Sequence, residues 1–121
     1  MMRPRTILAL TFALLPALVP GCNLVDFKDY PCPQGGTTVT YDNFGKTFFA
    51  AWCNRCHSAP DGDRDGAPDA YAFDTVEAIR AQKERIFDRA ASTNDSMPPG
   101  PNDPPLDQRQ KLADWLACGA P

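Results

Sequence analysis

Beyond residue 21 the chain has only three valines (Val25, Val39, Val76) and two isoleucines (Ile79, Ile86). That is too few β-branched apolar residues to build several buried strands. The apolar residues recur instead at helical spacing. Phe44, Phe48, Ala51 and Trp52 predict a first helix from about Tyr41 to Asn54, with Thr40 as its cap. Val76, Ile79, Lys83, Ile86, Phe87 and Ala90 predict a second, ending near Ala91, with the Lys83 stem lying along the stripe. Asp74 and Glu77 form a capping-box pattern at its start, with Phe73 as a staple. Asp107 and Gln110 open a last helix that carries Leu112, Trp115 and Leu116 on one face and stops at Gly119. The connections are a loop rich in Asp, Gly and Pro near 58–72 and the run "STNDSMPPGPNDPP", whose five prolines forbid regular structure. The fold class predicted is all-α, within one domain.

The first residues have another pattern. Arg3 and Arg5 precede an apolar run from Thr6 to Val19. This run is shorter than the roughly 20 residues that span a bilayer and fits a secretory signal. It closes on "LVPGC", which resembles the lipobox of bacterial lipoproteins. That resemblance implies a signal peptide over 1–21, acylation of Cys22 and a lipid anchor in the cell envelope, facing the periplasm or exterior. Residues 22–40, broken by Pro31, Pro33, Gly35 and Gly36, read as a tether and lead-in, and 41–121 as the domain. The formal charge of −3 offers no basic face, so nucleic acid is not expected as a partner.

Five cysteines remain to be placed. With Cys22 lipidated and Cys53 and Cys56 in one motif, Cys32 and Cys118 are left as a disulfide pair in an oxidising compartment. The motif itself, "WCNRCHS", contains the chain's single histidine, His57. Three readings compete. A thioredoxin-like thiol–disulfide oxidoreductase would use Cys53 and Cys56, but its fold needs a central sheet. A zinc site would need Cys32 and Cys118 to complete its four ligands. Covalent attachment of a haem uses every residue: two thiols form thioethers, and the histidine after them binds the iron.

The motif "CNRCH" and its surroundings resemble the small monohaem class I cytochromes c. Gly45 and Phe49 stand at four-residue steps before Cys53, where the family has a glycine and an aromatic. Leu112, Trp115 and Leu116 match the family's last helix. The resemblance spans about residues 41–120. It implies a small helical bundle around one covalent haem c, bound by Cys53 and Cys56, with His57 as an iron ligand. It implies that the Pro68 carbonyl accepts a bond from the His57 ring, and that Met97 of "SMPPG" is the second iron ligand. The activity implied is electron transfer with redox-protein donors and acceptors rather than turnover of a substrate. A haem sensor, or a subunit of a larger redox enzyme, is a further alternative.

Met97 is the only methionine beyond the signal segment, and a second histidine ligand is impossible with one histidine. "DGDRDG" places Asp61, Asp63 and Asp65 in the alternation that opens a calcium loop, with Asp69 at its ninth position. Ala72 stands where the bidentate glutamate belongs, so a solvated acidic turn is the favoured reading.

Overall fold

The computed structural model describes residues 24–60 and 64–121. The signal segment with Cys22, and Asp61 and Asp63, lie outside the described residues. The fold is all-α, with no strand among the described residues. The described residues form four α-helices: α1 (Lys46–Trp52), α2 (Val76–Ala81), α3 (Lys83–Ala90) and α4 (Leu106–Ala117). A π-type turn, Tyr41–Gly45, runs directly into α1, and single 3-10 turns form at Phe27–Asp29 and Asp69–Tyr71.

Thr40 caps the first segment. Its hydroxyl accepts from the Asn43 N–H at 3.1 Å, and the Asn43 side chain accepts from the Thr40 N–H at 2.8 Å. The wider π-type turn rotates the register of α1 relative to an unbroken α-helix. Ala51 is therefore exposed rather than buried, and Phe49 faces the core beside Phe48.

The second helix is divided. Gln82, at φ −114° and ψ 14°, separates α2 from α3. The apolar stripe nevertheless continues across the break, with Ile79, Ile86, Phe87 and Ala90 all buried. Its cap is Thr75, whose hydroxyl accepts from the Ala78 N–H, and not Asp74. Asp74 is drawn across the loop: its carboxylate accepts from the Ser58 hydroxyl at 2.6 Å and the Ala59 N–H at 2.7 Å. The Ala59 N–H, and after it the Ser58 hydroxyl, hold that carboxyl below its ordinary range. At α4 no side chain caps the start; Pro105 leads in, and Asp107 sits in the first turn, where the helix dipole favours an acid. Gln110 donates to the Tyr30 hydroxyl instead of capping.

The core lies where α1, α3 and α4 meet. Phe49 stands edge-on to Trp115 and to Phe73, with ring centroids 6.3 Å and 5.6 Å apart. Leu112, Trp115 and Leu116 are fully buried.

The segment read as a tether and lead-in folds onto these helices as a strap. Asn94, itself buried, accepts from the Val25 N–H at 3.1 Å and donates to the Val25 carbonyl at 2.8 Å. Phe27 and Tyr30 pack on Phe87, and the Lys83 ammonium sits 5.6 Å from the Phe27 ring centroid. Cys32 and Cys118 stand at disulfide distance, with Cα atoms 4.7 Å apart. At the chain's end the Pro121 carbonyl accepts from the Tyr41 N–H and from the Trp115 indole.

Candidate functional site

The Cys-x-x-Cys-His motif begins where α1 stops. Cys53 terminates the helix, its N–H bonded to the Phe49 carbonyl at 2.9 Å. The chain then curls round the Cys53 carbonyl, which accepts from the N–H groups of Cys56 (3.2 Å) and His57 (3.0 Å). This single turn brings Cys53, Cys56 and His57 to the wall of one cavity of about 370 Å³. That volume lies in the ordinary range for small-molecule and cofactor sites. Phe48, Trp52, Phe73, Ile86 and Ala90 line it with apolar surface, and Met97 and Pro98 reach it from the proline-rich loop.

His57 is held on two sides. Its Nδ1 lies 2.7 Å from the Tyr71 carbonyl oxygen. A carbonyl only accepts, so Nδ1 carries a proton, and in the neutral ring the lone pair is then on Nε2. The ring stacks on Phe73 with centroids 4.7 Å apart, and the Phe73 N–H donates to the His57 carbonyl at 2.7 Å. A neutral histidine oriented in this way is a competent metal ligand.

The partner of the ring is thus Tyr71, and the expectation for Pro68 is corrected. Pro68 lines the cavity, but its carbonyl accepts from the Tyr71 N–H (2.9 Å), closing the 3-10 turn, and from Arg64 Nη2 (3.0 Å). A main-chain carbonyl carries no side-chain signal, so nothing in the sequence marks Tyr71 for this part.

Met97, forty residues beyond His57, is anchored through its N–H to the Arg89 carbonyl at 2.9 Å. The residue is 40% exposed and borders the same cavity.

The thiols are poorly placed for disulfide exchange. Burial pushes the Cys53 thiol up to about 12. Cys53 also sits at the C-terminal end of α1, where the helix dipole disfavours a thiolate. Oxidoreductase cysteines have the reverse arrangement, at a helix N-terminus with a lowered pKa. The sulfur of half-buried Cys56 lies 3.7 Å from the Asp65 carboxylate.

Zinc loses its remaining ligands, because Cys32 and Cys118 face each other and not the motif. No group of three His, Cys, Asp or Glu side chains suited to a metal ion occurs among the described residues. Of the acidic residues in the calcium-like pattern, Asp69 pairs with Arg64 Nη1 at 2.7 Å and is fully exposed, as in a solvated turn.

The residues fit a haem. Apolar walls suit the macrocycle, two thiols one turn apart suit its vinyl groups, and His57 Nε2 suits its iron. Arg64, Arg85 and Arg89 line the cavity and would supply cations for its acidic substituents, and Arg64 Nε is buried with no partner. Among the described residues no helix is long and apolar enough to cross a membrane. No family model matches the chain, and no similar protein was found among curated proteins or solved structures.

Proposed function

We propose that the chain is a carrier of single electrons that holds one haem c covalently, as the small monohaem class I cytochromes c do. The observation that carries this reading is the meeting of Cys53, Cys56, His57 and Met97 at one apolar cavity. When bound, the group supplies an iron that changes oxidation state by one electron. Cys53 and Cys56 would hold the macrocycle by thioethers, and His57 Nε2 and Met97 would bind its iron. Tyr71 keeps the His57 ring in its ligating tautomer. Phe48, Phe73 and Ile86 exclude water from the site, which tunes the potential.

Lipid on Cys22 holds the domain at a membrane face in the cell envelope, near redox-protein donors and acceptors. The oxidoreductase alternative has less support, since it needs a sheet and an activated Cys53. A sensor or redox-enzyme subunit differs from a carrier in its iron coordination, which substitution of Met97 tests. The covalent link is tested by maturing the chain with its haem-attachment machinery. Pigment should survive acid–acetone extraction and denaturing electrophoresis, and C53S with C56S should abolish it. Pigment that washes out, or none bound, refutes the reading.

A further inference from the structure

We infer that Arg64 is a positioning residue for His57, acting through the turn that carries the Tyr71 carbonyl. The turn Asp69–Tyr71 has one end at Pro68 and the other at the atom that holds the His57 ring. Arg64 braces its first end twice. Nη2 donates to the Pro68 carbonyl at 3.0 Å, and Nη1 meets the Asp69 carboxylate at 2.7 Å.

The two contacts differ in strength. Asp69 is fully exposed, so that ion pair contributes little. The Arg64 side chain is only 13% exposed, and its bond to the Pro68 carbonyl is correspondingly sheltered. The same carbonyl accepts from the Tyr71 N–H, so the guanidinium and the turn share one oxygen. Arg64 also receives the Ala67 N–H on its own carbonyl at 2.8 Å, which folds residues 64–71 into one compact loop. The Arg85 guanidinium lies 5.9 Å from the Tyr71 ring centroid. Arg64 holds the turn through a planar fork that a lysine cannot reproduce.

The consequence for His57 has a definite sign. A bond from Nδ1–H to a well-fixed carbonyl makes the imidazole a stronger donor, which favours oxidised iron and lowers the potential. Loosening Tyr71 weakens that bond and raises the potential. Removing a positive charge from the cavity wall would do the opposite. Arg64→Lys keeps the charge and loses the fork, so it separates the two effects.

This inference rests on the proposed haem site, and the experiment keeps their failures apart. In the haem-loaded, reduced full chain, R64K should raise the potential. It should also speed solvent exchange of the His57 Nδ1–H about fivefold, the factor that corresponds to about 1 kcal/mol, one ordinary hydrogen bond. Helix content and the Cys32–Cys118 link serve as controls for folding. An R64K protein with parental potential and parental exchange overturns the inference. So does a lowered potential with unchanged exchange, which would make Arg64 a charge acting on the cofactor directly. If the parent never binds haem, the functional reading fails. The inference is then decided by the nitrogen-15 shifts of the His57 ring in the full chain. Loss of the Nδ1–H tautomer in R64K upholds it, and an unchanged ring overturns it.

Discussion

Gly45 lies so close to Trp115 that a Cβ there would stand 2.8 Å from the indole Cη2. The contact is where α4 crosses the start of α1, and the indole it presses on is fully buried. Gly45 has ordinary helical angles, φ −55° and ψ −50°, so space and not backbone freedom demands the glycine. Gly45→Ala gains up to about 1 kcal/mol of helix propensity. It forces the ring or the helix aside, at about 1–3 kcal/mol for an overpacked core. The net expectation is a loss of about 1–2 kcal/mol in denaturant unfolding, and more for Gly45→Val. An alanine variant more stable than the parent by the full propensity gain would show that the two helices can separate without cost.

The strap gives a second prediction. Cys32 and Cys118 are 86 residues apart in sequence, and their link joins the strap to the end of α4. For a closed loop of that size the chain-entropy model gives about 4–5 kcal/mol, acting on the unfolded chain. The paired variant C32S/C118S should lose up to that amount in denaturant unfolding. It should retain its helix content, because Asn94, Phe27 and Tyr30 still hold the strap. Peptide mapping of the unreduced parent should show the two fragments joined, and alkylatable thiols at both positions would contradict the pairing.

Tyr30 supplies a prediction about pH. Burial, and then its hydrogen bond to the Asp114 carboxylate at 2.7 Å, push the phenol up to about 12 from its ordinary 10.0. A raised acid binds its proton more tightly in the folded chain. Its contribution is therefore complete below pH 10 and is lost as pH rises from there to about 12. Thermal melts across that window should fall more steeply for the parent than for Tyr30→Phe. Parallel slopes would mean that the phenol is not held this way.

Much of this architecture can be read from residue spacing alone. Thr40 as a cap, the Leu112, Trp115 and Leu116 face and the end of α4 shortly before Gly119 are all local patterns, and local pattern decided them. Spacing does not reveal competition between distant groups. Asp74 and Thr75 are both good caps, and the choice fell to Thr75 only because Ser58 and Ala59 engage Asp74. Asn94 reads as one polar residue in a proline-rich loop, yet it satisfies both main-chain groups of Val25, 69 residues earlier. At the site, the motif residues and Met97 are visible as side-chain types, and they do line one cavity. The atom that orients His57 is a carbonyl, which any residue can supply. Its assignment to Tyr71 depends on how Arg64 and the 3-10 turn occupy the Pro68 oxygen.

The sixth ligand is the most direct test of the proposed mechanism. A methionine thioether is a soft, neutral ligand that favours the reduced iron, so a histidine–methionine pair raises the potential. Met97 is fixed at its backbone by the Arg89 carbonyl and lies at the same cavity as His57. Pro98, Pro99 and Pro101 restrict the chain on its far side, which lowers the entropy cost of holding the sulfur in place. Met97→Ala keeps that backbone bond and both thiols of the motif. The variant should therefore retain covalent haem, lose the absorption band that a methionine–Fe(III) bond gives, show a lower potential and bind carbon monoxide. An unchanged spectrum and potential would remove Met97 from the coordination sphere. The parent would then have an open iron position, and sensing or catalysis would replace electron transfer as the better reading of the cavity.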